Sequence, residues 1–181
     1  MFARTPRLTL RPGWPEDAPA VAQAIAHESV ARNLSRVPWP YTERDAHDWL
    51  AIARAPTDIC LLILAHDAPA PRLIGAISIK QAADGAPELG YWLTPSAWGR
   101  GYATEAGRAV LHMARHARGM QQVRSRYFVD NAASARVLGK LGFRETGRAA
   151  TLSRSRGREV ASVTMACDLG DAPPQDIPLA A

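Results

Sequence analysis

The sequence predicts one mixed α+β domain built around a single twisted sheet. Three observations support this fold class: the length of the chain, the order of its β-rich runs and one strand–helix–strand unit. A chain of 181 residues with 47% hydrophobic content can bury one sizeable core. Successive β-rich runs over residues 58–93 favour antiparallel neighbours, whereas the strand–helix–strand unit over residues 87–130 predicts two parallel strands.

The N-terminal part begins with a strand and continues with two helices. Residues 7–12 alternate in polarity, which is typical of a strand, and Pro15 followed by two acidic residues favours a helix over residues 14–29. A second helix is predicted over residues 42–54. Thr42 is its predicted N-cap, because a threonine hydroxyl can accept a hydrogen bond from an unpartnered main-chain amide.

The middle of the chain supplies most of the predicted sheet. Residues 58–67 and 72–81 are β-rich and flank a proline-containing loop, which predicts an antiparallel hairpin, and residues 87–93 supply the next strand. Apolar or small residues then recur at helical spacing from Ala103 to Ala117, and residues 122–130 follow as a strand.

The C-terminal part adds one short helix and the last strand. The helix is predicted within residues 132–143, and it carries an apolar stripe that includes Leu138 and closes at Gly142. Residues 158–169 supply the last strand. The domain is therefore predicted to span residues 1–169, and the proline-rich residues 170–181 are predicted to form a disordered tail.

Charge, hydrophobicity and cysteine content limit the partners and the location that the protein is expected to have. The net charge of +5 favours an anionic partner, such as a nucleic acid, a membrane surface or a phosphorylated cofactor. No run approaches the roughly 20 apolar residues that span a bilayer, and no signal peptide is visible, so a cytoplasmic location without a membrane partner is expected. Cys60 and Cys167 lie in apolar runs, which predicts buried, inert thiols and no metal site.

One glycine-bearing stretch, "WGRGYATEA" over residues 98–106, lies between a predicted strand and a predicted helix. Main-chain amides in the first turn of a helix lack internal partners and carry the positive end of the helix dipole, so they can bind phosphates. Gly99 and Gly101 leave room for such a ligand, while Arg100 adds a cation and Thr104 a hydroxyl. The alternative from these residues alone is a simple tight turn.

The same stretch resembles the phosphate loop of the GNAT superfamily of acyl-CoA-dependent N-acyltransferases, Gln/Arg-x-x-Gly-x-Gly/Ala. The match is Trp98-Gly99-Arg100-Gly101-Tyr102-Ala103. Tryptophan in the first position departs from that pattern but, with "GYWL" before it, is similar to the RimJ/RimL-type ribosomal-protein N-terminal acetyltransferases. The stretches "VPWPYTERDAHDWL" and "DNAASARVLGKLGF" resemble the same branch, so the resemblance covers residues 7–169.

The resemblance implies a sheet of about seven strands, flanked by about four helices and splayed open between the fourth and fifth strands. Acetyl-CoA would lie in that gap as a cosubstrate, with no metal. The main chain at Leu93 and Thr94 would bind its pantetheine arm, and Asn131 would bind that arm besides capping its helix. The other cofactor contacts are assigned to Trp98, Gly99, Arg100, Gly101, Tyr102, Ala103, Thr104, Ser134 and Arg136.

Direct acetyl transfer to an amine, which the resemblance implies, needs a base and an acid. Glu88 is the candidate base, and its alternative role is a solvated carboxylate at the start of a strand. Many members of the superfamily place a tyrosine acid where this chain has Leu138. Ser134, on the inward stripe of the same helix, is therefore the candidate acid, and its alternative role is to satisfy the main chain at the helix start.

The resulting hypothesis is an acetyl-CoA-dependent N-acetyltransferase that acts on a primary amine, with a ribosomal or other protein N-terminus as the acceptor that the resemblance implies. The alternatives are acetylation of a small-molecule amine, such as an amino acid, polyamine or aminoglycoside, and a non-catalytic acyl-CoA-binding module. A monomer or a homodimer is expected. Nucleic acid is not an expected partner, although five arginines could form an RNA-binding face: Arg144, Arg148, Arg154, Arg156 and Arg158.

Overall fold

A computed structural model describes residues 1–170 as eight strands and five α-helices around one sheet. The strands are β1 (Ala3–Arg4), β2 (Leu8–Arg11), β3 (Ile59–Ala65), β4 (Arg72–Gln81), β5 (Pro87–Leu93), β6 (Gln122–Phe128), β7 (Arg144–Ser153) and β8 (Arg158–Asp168). The helices are α1 (Ala18–Ile25), α2 (Glu28–Ala31), α3 (Glu43–Ala51), α4 (Tyr102–Arg118) and α5 (Ala132–Lys140). The predicted tail falls almost entirely on residues 171–181, which lie outside the described part of the chain.

The sheet has the strand order β1-β2-β3-β4-β5-β6-β8-β7. Its neighbouring strands are antiparallel except for β5 and β6, which are parallel. The parallel pair arises because α4 carries the chain back along the sheet between them. The predicted mixed sheet, the predicted antiparallel hairpin of β3 and β4, and the predicted parallel pair are all confirmed.

Helices cover both faces of the sheet, and each face has its own apolar core. On one face, α4 buries an apolar stripe that includes Ala106, Val110 and Met113 against the central strands. On the opposite face, α1 and α3 pack together over Leu62 and Ala76. Side chains on successive residues of a strand point to opposite faces, so β5 contributes to both cores.

The N-terminal helices differ in detail from the prediction. The helix expected over residues 14–29 is divided, because His27 adopts an extended backbone between α1 and α2. The helix expected over residues 42–54 begins as predicted, since the Thr42 hydroxyl accepts a hydrogen bond from the Asp45 amide and Asp45 bonds back to the Thr42 amide. This helix ends at Ala51, before the predicted boundary.

Two strands were not predicted, and both lie at the edges of the sheet. Strand β1 has only two residues, and most residues of β7 are exposed, so neither gives the alternation of apolar and polar residues that identifies a strand. The pairing of β7 with β8 is therefore a result of tertiary structure. The residue patterns predict six strands, and these two bring the number to the eight observed, one more than the roughly seven that the resemblance implies.

Candidate active site

The site lies where β5 and β6 separate. Their parallel pairing comprises only Glu88 with Arg124 and Leu89 with Ser125, whereas β5 continues to Leu93 and β6 to Phe128. The Ser125 hydroxyl donates a hydrogen bond of 2.9 Å to the Leu89 carbonyl at the last paired position. The expected opening between the fourth and fifth predicted strands is confirmed, and those strands are β5 and β6 here.

Two adjoining cavities occupy this region. The first has a volume of about 600 Å³ and includes Glu88, Tyr91, Arg126 and Ser134 in its lining. The second, of about 520 Å³, extends toward α1 and α3 and is lined in part by Asp45, Asp48, Tyr41, Trp49 and Trp92. Because Glu88 and Tyr91 line both cavities, they lie where the two cavities meet.

The outer wall of both cavities is formed by the segment after α2 and by the turn between β7 and β8. The Arg154 amide donates a hydrogen bond of 2.9 Å to the Ser35 carbonyl, and the Ser155 hydroxyl donates one of 3.0 Å to the Ala31 carbonyl. Arg156 binds Asp130 through two hydrogen bonds of 2.7 and 3.1 Å. These bonds fix the turn, so the wall does not depend on cavity-lining side chains for its position.

Glu88 contacts one cation in the cavity. Its Oε2 accepts a hydrogen bond of 3.0 Å from Arg126 Nη2, and one-third of its side chain (33%) is exposed. The structure thus brings the candidate base to the junction of the two cavities. Its side chain keeps partial contact with solvent, so its role as a base stays a prediction. Arg126 was not predicted as a site residue, because its partner lies 38 positions away in the sequence.

Ser134 lines the first cavity and contacts a tyrosine from β5. The Tyr91 hydroxyl donates a hydrogen bond of 3.2 Å to Ser134 Oγ. Burial raises the pKa of Tyr91 to about 12, so its phenol stays protonated at neutral pH. Because Ser134 Oγ accepts this bond, the hydroxyl proton of Ser134 is left for another acceptor in the cavity.

Asn131 caps α5 as predicted. Its side-chain oxygen accepts a hydrogen bond of 3.1 Å from the Ser134 amide. Asn131 therefore satisfies the Ser134 amide, and the one hydrogen bond described for the Ser134 hydroxyl is that with Tyr91. Arg136, on the same helix, is exposed and lines neither cavity. Contacts of Asn131 and Arg136 with the cofactor remain predictions.

The glycines of residues 98–106 are required by the backbone conformation. Gly99 and Gly101 have φ angles of 74° and 81°, in the left-handed region that disfavours residues with a Cβ. Gly101 is the N-cap of α4, and the Glu105 amide donates to its carbonyl. The amides before Glu105 have no partner within the helix, and a Cβ on Gly99 would meet no atom within 4 Å. The loop therefore has open space at Gly99, next to helix amides that lack an internal partner.

The turn between β1 and β2 holds this loop in place. Arg7 Nη1 donates a hydrogen bond of 3.0 Å to the Arg100 carbonyl, and Arg7 Nη2 lies 2.6 Å from Glu105 Oε2. Thr5 donates to the same carboxylate at 2.6 Å. Burial acts to raise the pKa of Glu105, but the hydrogen bonds from Thr5 and Arg7 outweigh it and lower that pKa. Arg7 and Glu105 were not predicted, since they are 98 positions apart.

The side chain of Arg100 points to an acidic residue on the β3–β4 loop. Asp67 Oδ2 accepts hydrogen bonds from Arg100 Nη1 at 3.2 Å, from the Tyr102 hydroxyl at 3.1 Å and from Arg72 Nη2 at 3.1 Å. Desolvation acts to raise the pKa of Asp67, but Tyr102 and Arg72 hold it below its ordinary value. Asp67 therefore competes with any anionic ligand for the Arg100 guanidinium.

Several predicted cofactor residues have partners within the chain. The Thr94 amide donates to the Ile74 carbonyl at 2.8 Å, and the Leu93 carbonyl accepts a hydrogen bond of 2.8 Å from Trp98 Nε1. A role for Leu93 and Thr94 in binding pantetheine would therefore use their remaining main-chain groups. Thr104 is buried, and its contribution of a hydroxyl to the cofactor site stays a prediction. Ala103 and Tyr102 are buried too.

The cysteines are free thiols outside the two cavities. Cys167 is buried and Cys60 is half-buried, and burial raises the pKa of both. The described part of the chain contains no group of three or more side chains suited to holding a metal ion. None of the helices within residues 1–170 has the length and apolar character to cross a membrane.

Residues 7–144 match the family model of the acetyltransferase (GNAT) domain, so the chain belongs to that family. The prediction of a GNAT acyltransferase is thereby confirmed. The more specific RimJ/RimL-type assignment is taken up as part of the proposed function.

Comparison with individual proteins agrees with the family. The probable N-acetyltransferase YjcK of Bacillus subtilis is 37% identical over 79 residues, which cover 42% of this chain and 44% of that protein. The chain thus matches less than half the length of this curated relative. The ribosomal-protein-S5-alanine acetyltransferase of Vibrio fischeri superposes with a TM-score of 0.78 at 18% identity, covering 96% of this chain and all of that one.

A further solved structure, the microcin C7 self-immunity acetyltransferase MccE in complex with acetyl-CoA and AMP, has a TM-score of 0.74 at 16% identity. The superposition covers 90% of this chain and 93% of the MccE chain. At these identities, the two structural likenesses concern the fold.

Proposed function

We propose that this chain is an acetyl-CoA-dependent N-acetyltransferase that transfers an acetyl group directly to the N-terminal α-amine of a protein or peptide. The observation that carries this proposal is the convergence of Glu88 and Ser134 on one cavity. The two residues come from β5 and α5, on either side of the gap between the diverging strands. A base and an acid on one cavity are the groups that acyl transfer to an amine requires.

The residues of the loop after β5 suit acetyl-CoA. Gly99 leaves an open surface beside the unpartnered amides at the start of α4, where a pyrophosphate would be bound by main-chain N–H groups and the helix dipole. Arg100 would add a charge-assisted bond after leaving Asp67. Bound acetyl-CoA would supply the acetyl group as a thioester, whose carbon–sulfur bond is exchanged for the carbon–nitrogen bond of the amide.

The side chains of the cavity supply the proton transfers. Glu88 accepts a proton from the ammonium group of the acceptor, directly or through a water molecule, so that the amine nitrogen becomes nucleophilic. Arg126 holds the Glu88 carboxylate in position. Ser134 donates its hydroxyl proton to the departing sulfur, which leaves as the CoA thiol, and Ser134 regains a proton from the amine nitrogen as the amide forms. Tyr91 orients that hydroxyl, because it occupies a lone pair of the serine oxygen. Neither cysteine takes part, so no covalent enzyme intermediate is required.

The acceptor assignment rests on the RimJ/RimL-type sequence motifs and is supported by a structural neighbour that acetylates an alanine of ribosomal protein S5, as its name states. A small-molecule amine is the alternative acceptor. In the second cavity, the carboxylates of Asp45 and Asp48 and the rings of Tyr41 and Trp49 could contact an ammonium group, while the cations Arg36, Lys80 and Arg154 lie elsewhere in its lining.

Calorimetric titration with acetyl-CoA tests the cofactor part of the proposal. Binding to the native protein must also raise its thermal midpoint, because a ligand that binds only the folded state stabilises it. No detectable binding at millimolar acetyl-CoA would overturn the proposal. The Glu88→Gln variant is expected to bind acetyl-CoA like the parent but to lose transfer by about a hundredfold or more. Binding without transfer in the parent would instead indicate a non-catalytic acyl-CoA-binding module.

A further inference from the structure

Two exposed arginines lie on the wall that the two cavities share. Arg36 and Arg154 line both cavities, together with Glu88 and Tyr91. The hydrogen bond of 2.9 Å from the Arg154 amide to the Ser35 carbonyl brings the chain segments of these arginines side by side. The bonds of the β7–β8 turn to residues 31–35 fix both segments, so the two side chains extend from a rigid support.

Within residues 1–170, neither guanidinium has a hydrogen bond or an ion pair at bonding distance. The third arginine of the first cavity, Arg126, differs because it is paired with Glu88 at 3.0 Å. Arg154 acts on Asp45 only through longer-range electrostatics. Asp45 is itself engaged with Thr42 at the start of α3. Arg36 and Arg154 therefore retain their full capacity to donate hydrogen bonds.

The charge of the shared wall is positive. Glu88 is the carboxylate that lines both cavities, and Arg126 offsets its charge. Asp45 and Asp48 line the second cavity alone. Two guanidinium groups without partners, next to a candidate base, suit an acceptor that has an anionic group near its amine. Arginine is especially suited to carboxylates, because its planar donors match the two carboxylate oxygens.

We propose that Arg36 and Arg154 form a subsite for a carboxylate carried by the amine acceptor, close to the amine that is acetylated. This inference rests on the proposed function and specifies the chemistry of its acceptor. A peptide can present the carboxylate as an acidic side chain next to its N-terminal residue, and an amino acid can present it as its α-carboxylate. Both acceptors place the amine toward Glu88 and the carboxylate toward the arginines.

Two matched pairs of acceptors test the subsite. One pair is a peptide beginning Ser-Glu and the same peptide beginning Ser-Gln; the other is serine and serinamide. The measurement is kcat/KM for CoA release with the full chain and with the variants Arg36→Gln, Arg154→Gln and Arg36→Gln/Arg154→Gln. Arg108→Gln is the matched control, because Arg108 is an exposed arginine on α4 that lines neither cavity.

The parent is expected to prefer the acidic member of at least one pair by about tenfold, and the pair that shows the preference identifies the source of the carboxylate. Each single variant should reduce that preference and the double variant should abolish it, while the affinity for acetyl-CoA and the thermal midpoint stay at parent values. Arg108→Gln should keep the preference. Equal rates for acid and amide in both pairs, or a preference that survives in the double variant, would overturn the subsite but not the acetyltransferase. CoA release with none of the four acceptors, nor with any other amine, would overturn the proposed function and the subsite together.

Discussion

Tyr91 and Ser134 are joined by a hydrogen bond of 3.2 Å in which the phenol is the donor. The two residues are 43 positions apart and come from β5 and α5. Because the phenol fills one acceptor position of Ser134, the serine proton is free to point into the cavity. Tyr91 thus acts through Ser134, which makes it a positioning residue for the candidate acid.

Removing the hydroxyls of Ser134 and Tyr91 should reduce turnover, and the two losses should not be additive. We expect Ser134→Ala to lower kcat by about a hundredfold and Tyr91→Phe by about tenfold, with KM for acetyl-CoA little changed. The double variant should match Ser134→Ala alone, since Tyr91 has no effect without Ser134. Steady-state kinetics of the four proteins provides the measurement. Independent, additive losses would show that Tyr91 does not act through Ser134.

Two half-buried tyrosines should make the protein less stable in alkali. Burial raises the pKa of Tyr91 and of Tyr41 from 10.0 to about 12 in the folded state. The unfolded chain therefore loses these protons first, so the stability that the two phenols contribute is intact below pH 10 and is lost as the pH rises toward 12. Urea unfolding at pH 9, 10 and 11 should give a shallower decline for Tyr91→Phe and Tyr41→Phe than for the parent. Parallel declines in all three proteins would contradict the raised pKa values.

Arg100 and Asp67 should affect CoA affinity in opposite directions. Arg100→Ala should weaken CoA binding by about fivefold to tenfold and leave binding of dephosphorylated pantetheine almost unchanged. Asp67→Asn should strengthen CoA binding by about threefold, because it frees Arg100 and removes an anion beside the phosphates. Calorimetric titration measures both effects.

Asp84→Asn is the matched control for the change in charge, because Asp84 is paired with Arg124 on another part of the surface. Weaker CoA binding by Asp67→Asn would indicate that Asp67 mainly orders the loop. Equal losses of CoA and pantetheine affinity in Arg100→Ala would argue against a phosphate contact.

Gly75 is essential to the packing of β4 against β5. A Cβ at this position would overlap the main-chain oxygen of Trp92 and lie 2.8 Å from Leu93 Cδ2, and a strand backbone cannot move away cheaply. We expect Gly75→Ala to lower the free energy of unfolding by about 2–3 kcal/mol. Gly90→Ala is the control, because its nearest atom would lie 4.0 Å away, and urea unfolding should give a change of less than about 1 kcal/mol. Similar stabilities for the two variants would contradict this packing.

Local sequence patterns were sufficient to predict most of the fold. The cap of α3 at Thr42, the hairpin of β3 and β4, and the parallel strands around α4 are each specified by neighbouring residues. The edge strand β7 was missed because its side chains are mostly exposed, and an exposed strand has no apolar face to impose a period of two. Its position depends on β8, which lies in the sheet interior next to β6.

The candidate site was also predicted in part from local sequence. Glu88, Ser134 and the glycine loop were predicted, since each belongs to a short recognisable stretch. Their partners Tyr91, Arg126 and Asp67 were not, because each contact joins distant segments, and only the folded sheet brings those segments together. Tyr91 lies on the same face of β5 as Leu89 and Leu93, two residues from each. This period of two was the available sequence signal that Tyr91 faces the core on the side of α5.

The most direct test of acetyl transfer is the stoichiometry of products formed from acetyl-CoA and a panel of N-terminal peptides and small amines. CoA release can be followed through its thiol, and the acetylated amine through its mass, with and without the protein. The proposed function predicts one acetylated amine for each CoA released, at a rate that depends on the acceptor. Bound acetyl-CoA that yields no acetylated amine with any member of the panel would contradict it.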